Sequence, residues 1–167
     1  MEPILNVALV GYGYVGKTFH APLVAHTPGL HLHTVVSSDP QKVLVDFPQA
    51  RVVDRAHEAF ADPDIHLVVV AAPNAVHATL ACDALAQGKH VVVDKPFTVT
   101  LDEARQVVAQ SRQSGGLLGG FQSRRWGSDF LTLKQLLQRD ALGEVTEFHS
   151  HFERYRPQVV DRWREQE

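Results

Sequence analysis

Lys95 stands in Val91-Val92-Val93-Asp94-Lys95-Pro96, an apolar run that ends in an acid, a lysine and a proline. Near the start of the same chain, Ile4 to Val10 runs into Gly11-Tyr12-Gly13-Tyr14-Val15-Gly16, a complete G-x-G-x-x-G between a strand signal and a helix signal. Each glycine has a separate task in such a turn: Gly11 permits the tight bend, Gly13 lets a pyrophosphate approach the backbone, and Gly16 lets the following helix pack on the strand. Tyr14 and Val15 lie where the helix N-terminus offers unpaired N–H groups and partial positive charge to phosphates. The turn and Lys95 together point to nicotinamide redox chemistry. A lysine held near a nicotinamide can orient a substrate hydroxyl or take part in its proton transfer, whereas a lysine at any other strand end is simply solvated. Position alone leaves both roles open for Lys95.

The elements that must hold these residues alternate strand and helix from the start, which generates a parallel sheet covered on both faces. Ile4 to Val10, Leu32 to Val36, Leu67 to Ala71 and Lys89 to Val93 are continuous apolar runs without a polar face, as expected of strands buried on both sides. Arg51 to Val53 is a shorter edge candidate, and Leu117 to Gln122 reads as a final strand. Asn74 is expected to cap a helix that runs to Gln87 and stops at Gly88. Thr100 and Glu103 have capping-box spacing for a helix over Leu101 to Ser114. Pro22 should either kink the first helix or mark a short one.

The fold class expected is therefore α/β, a Rossmann-type doubly wound parallel sheet over residues 1–122. Residues 123–167 read differently, with a helical stretch at Ser128 to Leu137, a break at Leu142-Gly143-Glu144, and alternation over Val145 to Tyr155. A second domain is expected to begin here, the first elements of an incomplete α+β substrate and oligomerisation domain. Val145 to Tyr155 should be a half-exposed antiparallel strand of a large sheet. Without that sheet its aromatic surface and unpaired backbone would either drive association or stay without fixed structure, and a homo-oligomer is expected.

Ligands of open α/β sheets bind outside the carboxyl ends of the strands. The second strand should deliver an acid to the adenosine ribose for NAD, or small polar and basic groups for NADP. Ser37 and Ser38 occupy the place of that acid, Asp39 follows one step later, and Lys42 is within reach of a phosphate. Asp39 either serves the ribose or caps the helix beginning at Pro40. NAD and NADP both remain open, with a slight lean to NADP. Ala71-Ala72-Pro73-Asn74 follows another strand, with His77 three residues on; a histidine there more often contacts a cap or solvent than a ligand.

Composition excludes other classes. A net charge of −3 gives no basic footprint for nucleic acid, and the ten histidines show no sustained metal-ligand spacing. His149 and His151 read as exposed strand residues. Cys82 is the only cysteine and cannot form an internal disulfide, which suits a reducing compartment. The apolar runs are too short to cross a bilayer and the opening segment does not read as a secretion signal, so a cytoplasmic protein without membrane or metal partners is expected.

Three blocks carry a family resemblance: Gly11-Tyr12-Gly13-Tyr14-Val15-Gly16-Lys17-Thr18-Phe19-His20-Ala21-Pro22-Leu23, Gly88 to Phe97, and Arg124-Arg125-Trp126 with Asp129-Phe130. The chain resembles the Gfo/Idh/MocA oxidoreductases over essentially its whole length, and within them the bacterial subgroup that includes scyllo-inositol dehydrogenases. The common Glu-Lys-Pro of that family is Asp94-Lys95-Pro96 here, and the usual Arg-Trp-Asp is Arg125-Trp126-Gly127. The resemblance implies that Lys95 contacts substrate and nicotinamide, that Asp94 touches the cofactor, and that Pro73, Asn74 and His77 line its ribose side. It further implies that Arg124 and Trp126 approach the site from the domain junction. Family members run to about twice this length, and their second domain supplies an Asp and a His from a D-x-G-x-H-like motif that this sequence lacks. The chain thus reads as truncated: an NAD(P)-dependent dehydrogenase of a small-molecule polyol, inositol or sugar, represented by its cofactor half, or alternatively a catalytically inactive dinucleotide-binding module.

Overall fold

A computed structural model of the chain describes residues 4–155 and 157–158. It divides into two compact units, Met1–Ser123 and Arg124–Glu167. In the first, six strands form a single sheet: β1 Leu5–Val10, β2 Leu30–Val36, β3 Arg51–Val53, β4 Leu67–Val70, β5 His90–Val93 and β6 Leu118–Gly120. They lie in the order β3-β2-β1-β4-β5-β6 and every neighbouring pair is parallel. The order steps outward from β1 in one direction and then, after β3, from β4 in the other. All carboxyl ends therefore share one edge, and the reversal lies between β1 and β4, where open sheets of this kind leave a crevice.

Valine and leucine fill both faces because successive side chains alternate across a strand. On β1, Val7 and Leu9 point into one core with Val35, Val69, Ala21, Val24 and Val43, while Ala8 and Val10 point into the other with Val68, Val70, Val91 and Val93. Helices α1 (Ala21–His26) and α2 (Pro40–Asp46) cover the first face through Ala21, Val24 and Val43. Helices α3 (Ala56–Ala61), α4 (His77–Ala86) and α5 (Leu101–Ser114) cover the second through Ala59, Phe60, Ala81, Leu85 and Val107. The edge positions of β3 and β6 explain their short, less buried runs.

Helix ends follow local chemistry in part. Thr100 accepts from the Glu103 amide at 3.2 Å and Glu103 accepts in return from the Thr100 amide at 2.9 Å, the reciprocal capping box expected from their spacing. Gly115, at φ 72°, closes that helix in the left-handed conformation. Asn74 does not cap α4. It opens a 3₁₀ turn, Asn74–Val76, in which the Val76 amide donates to Pro73 O, and α4 starts only at His77 without a side-chain cap. At Pro22 neither sequence alternative is quite met: the chain winds as a π-helix over Gly16–His20 and tightens to α-helix at Ala21, with proline in the first turn of α1. Proline has no N–H to give to the carbonyl four residues back, so the preceding turn widens instead of breaking.

Lys89, only 7% exposed, sits just before β5 at the opposite edge of the sheet. Its ammonium donates to Asp62 O at 2.6 Å and Ile65 O at 2.8 Å, closing the loop between α3 and β4.

The second unit contains a 3₁₀ turn, Ser123–Trp126, entering from the last residue of the first unit, then α6 over Ser128–Gln138. Val145 to Tyr155 is irregular and forms no strand, which corrects the expectation from its alternation. A strand exists only through hydrogen bonds to a neighbour, and the described residues of this unit supply none; a lone extended segment has no stability of its own. Phe148, Phe152 and Tyr155 are exposed. Among the described residues no helix is long and apolar enough to cross a membrane.

Candidate functional site: the carboxyl edge of the sheet

The parallel sheet delivers to one edge Gly11–Gly16 after β1, Ser37–Asp39 after β2, Ala71–Asn74 after β4 and Asp94–Pro96 after β5. Gly11 takes φ 100°, and its amide donates to Val36 O at 3.0 Å. A Cβ there would meet Ala71 O at 2.6 Å, so only glycine brings the turn this close to the end of β4. A Cβ on Gly16 would land on the carbonyl oxygen of Gly11. Gly13 is the opposite case: it is exposed and a Cβ on it would meet nothing within 4 Å. The chain turns helical from Tyr14, and the first amides of a helix have no partner within it. An exposed glycine at the mouth of such a helix fits a pyrophosphate, which needs bare backbone and unpaired donors.

Tyr12 and Tyr14 part company. Tyr14 is 71% exposed with its ring edge-on to Phe19, whereas Tyr12 is buried and donates through its hydroxyl to Asp46 at 2.8 Å. Lys17 completes the group with its ammonium 2.7 Å from the same carboxylate. Burial and the adjoining carboxylate push the Tyr12 phenol well above its ordinary range, so it remains a donor at all working pH. Lys17 and Tyr12 in turn hold Asp46 below the usual carboxylate value. The glycine turn is thereby tied to the end of α2.

After β2, Asp39 Oδ1 accepts from the Lys42 amide at 3.2 Å, and Ser37 Oγ accepts from the Asp39 amide at 3.2 Å. Of the two roles open to Asp39, the side chain performs the helix cap. Ser38 and Lys42 are exposed beside it.

Asp94 and Lys95 face opposite ways. Lys95 is exposed at the edge, while Asp94 is buried, with Oδ1 3.6 Å from Nε2 of a buried His20. That separation exceeds a hydrogen bond, and His20 Nε2 has no other partner among the described residues; the His20 ring packs on Phe121, centroids 4.3 Å apart. Burial by itself raises the Asp94 pKa, but the His20 imidazole, the Lys95 amide and the charge of Lys95 outweigh it and hold the carboxyl below its ordinary 3.8. The unfolded chain therefore takes up this proton first. The stabilisation is complete above the ordinary value and is lost as pH falls through the lower, folded one. Asp94→Asn is expected to lose less stability than the native chain between pH 6 and pH 3; equal losses in urea titrations at the two pH values would show that Asp94 carries no such linkage.

His77 does not present its side chain to the edge, for it is 1% exposed. Nδ1 lies 2.8 Å from Pro96 O and Nε2 2.8 Å from Ala72 O. Both contacts are to carbonyls, which only accept; a neutral ring donates to one of them at a time and an imidazolium to both. Pro73 and Asn74 stay at the edge, exposed and half-buried.

Arg124 and Trp126 belong to the second unit, where the Arg124 guanidinium lies 5.7 Å from the centroid of Phe152 and Trp126 is 78% exposed. His149 and His151 are exposed, with partners Glu147 and Glu153, and no metal-holding group is assembled among the described residues. Sequence reasoning missed His20, Asp46 and the buried role of His77. A histidine beside a proline-terminated turn carries no local signal that a carboxylate will face it.

Comparison with known proteins places the edge in context. The model of the Gfo/Idh/MocA oxidoreductase family, with its NAD-binding Rossmann fold, matches residues 5–120. YdgJ of Escherichia coli K12, described as an uncharacterised oxidoreductase, is 55% identical over 99% of this chain and 48% of its own. The Bacillus subtilis scyllo-inositol 2-dehydrogenase (NADP(+)) IolW is 38% identical over 98% of this chain and 46% of its own. The structure of the YPO2259 protein of Yersinia pestis superposes with a TM-score of 0.95 at 54% identity, covering 99% of this chain and 48% of that one. The chain thus spans about half the length of the curated relatives it matches.

Proposed function

Because the chain belongs to the Gfo/Idh/MocA family of oxidoreductases, we propose that it is the coenzyme-binding half of an NAD(P)-dependent dehydrogenase of a polyol, inositol or sugar hydroxyl. The observation that carries this reading is the bare, exposed Gly13 at a helix mouth on the same sheet edge as the exposed Lys95. The pyrophosphate rests on Gly11, Gly13, Tyr14, Val15 and Gly16. The adenosine ribose lies toward Ser37 and Ser38, and the nicotinamide half runs over Pro73 and Asn74 toward Lys95. When bound, the nicotinamide gives or accepts the hydride. Lys95 orients the substrate hydroxyl through its ammonium and assists proton loss from the oxygen. Asp94, buried behind it, balances the local charge. For Arg124 and Trp126 a part in coenzyme binding rests on the family resemblance.

A modest preference for NADP follows from Ser37 and Ser38 at the ribose position, from Asp39 being engaged as a cap, and from exposed Lys42. The likeness to an NADP-dependent inositol dehydrogenase supports both the coenzyme and the substrate class. Calorimetric titration with NADH and NADPH tests the reading together with Gly13→Val. Because the added side chain meets open space, the variant should fold normally and yet bind about tenfold or more weakly, a change of about 1.4 kcal/mol. Undiminished affinity in the folded variant would move the pyrophosphate away from this turn. A clear NAD preference abolished by Asp39→Ala would make Asp39 the ribose ligand. Turnover of a polyol by this chain alone would exclude the alternative of a catalytically inactive dinucleotide-binding module.

A further inference from the structure

We infer that His77 is a positioning residue for the nicotinamide half of the coenzyme, acting by holding together the two loops that line it and not by touching it. This deepens the dinucleotide-binding reading above and rests on it. The geometry is specific. One ring, 1% exposed, stands between the carbonyl of Ala72, on the loop after β4, and the carbonyl of Pro96, on the loop after β5, at 2.8 Å from each. Ala72 immediately precedes Pro73-Asn74, and Pro96 immediately follows Lys95. Pro73 and Lys95 are thus each adjacent in the chain to a residue whose carbonyl lies 2.8 Å from the His77 ring, and Asn74 is one residue further on.

The other half of the edge has its own fastening. The glycine turn is anchored by Gly11 on Val36 O and by Tyr12 and Lys17 on Asp46, none of which involves His77. The strands β4 and β5 are paired only as far as Val70 and Val93, after which the Asp94 amide still reaches Val70 O; beyond that the two loops leave the ladder. The imidazole takes over the spacing where the sheet ends. Loss of the ring should therefore loosen one end of the site and leave the pyrophosphate end intact.

ADP-ribose is the coenzyme without its nicotinamide ring, so the ratio of its dissociation constant to that of NADH reads the nicotinamide end alone; NADPH and 2′-phospho-ADP-ribose form the corresponding pair. For the native chain the intact coenzyme is expected to bind more tightly. In His77→Leu that advantage should shrink by about tenfold while ADP-ribose affinity stays within about twofold. His77→Gln, which keeps one amide donor of similar reach, should restore part of the advantage, and it decides the matter if His77→Leu does not fold by circular dichroism. Equal weakening of both ligands, no change in either, or no nicotinamide advantage in the native chain would each overturn the positioning role while leaving coenzyme binding in place. Failure of the native chain to bind either ligand would overturn the dinucleotide reading, and this inference with it.

Discussion

Gly16→Val is expected to destabilise the first unit by about 3 kcal/mol or more and to lower its melting midpoint by on the order of 10 °C. The Cβ would clash severely with the carbonyl oxygen of Gly11, and a carbonyl cannot swing aside as a side chain can. Gly11 has no freedom to retreat either. Its φ of 100° and its approach to Ala71 are set by the close packing of the turn against β4, and its amide is committed to Val36 O. Relief would require lifting the π-helical turn off β1, which exposes Leu9, now 0% exposed and 3.8 Å from the Gly16 Cβ position. The contrast with Gly13→Val is the informative part: in one turn, one glycine serves packing and another serves a ligand. Thermal and urea melts measure the difference, and a Gly16→Val chain as stable as the native one would mean that the turn is not pinned as described.

Lys89→Met should destabilise the same unit by about 2–3 kcal/mol. The substitution keeps much of the length and the apolar stem but removes the donors on which Asp62 O and Ile65 O depend, leaving two carbonyls without them. Burying an ammonium is itself costly, so part of the loss is offset when the charge goes. Urea unfolding decides the sign and size. A change below about 0.5 kcal/mol would show that water replaces the ammonium at little cost. Lys89→Ala, which also deletes the buried stem, should be worse than Lys89→Met.

Much of the edge was legible in the chain. The G-x-G-x-x-G turn, the Thr100–Glu103 box and the apolar runs of β1, β2, β4 and β5 depend on interactions within a few residues or on burial that a run of valines announces. Local competition made other segments harder to read. Asn74 carries a good capping side chain, but Pro73 fixes the backbone before it at φ −59° and a 3₁₀ turn takes the place of the cap. Asp39 could have served a ribose or an amide, and the short path to the Lys42 amide engages it as a cap. Val145 to Tyr155 alternates like a strand, yet alternation specifies only which side would be buried; the pairing that makes a strand must come from elsewhere in space.

The sequence by itself determined the parallel α/β architecture, the position of the glycine turn and the placing of Asp94-Lys95 at the end of a buried strand, because each follows from short-range periodicity, turn chemistry and burial. The tertiary structure alone decided which way the side chains at that edge face. His20 lies buried 3.6 Å from Asp94, Tyr12 reaches Asp46 across a separation of 34 residues, and His77 spans to Pro96 across 19, so that the Tyr12 and His77 side chains are turned inward to hold the loops. Such partners are chosen by strand order and register, which bring distant segments within 3–4 Å of one another; no spacing along the chain encodes that meeting.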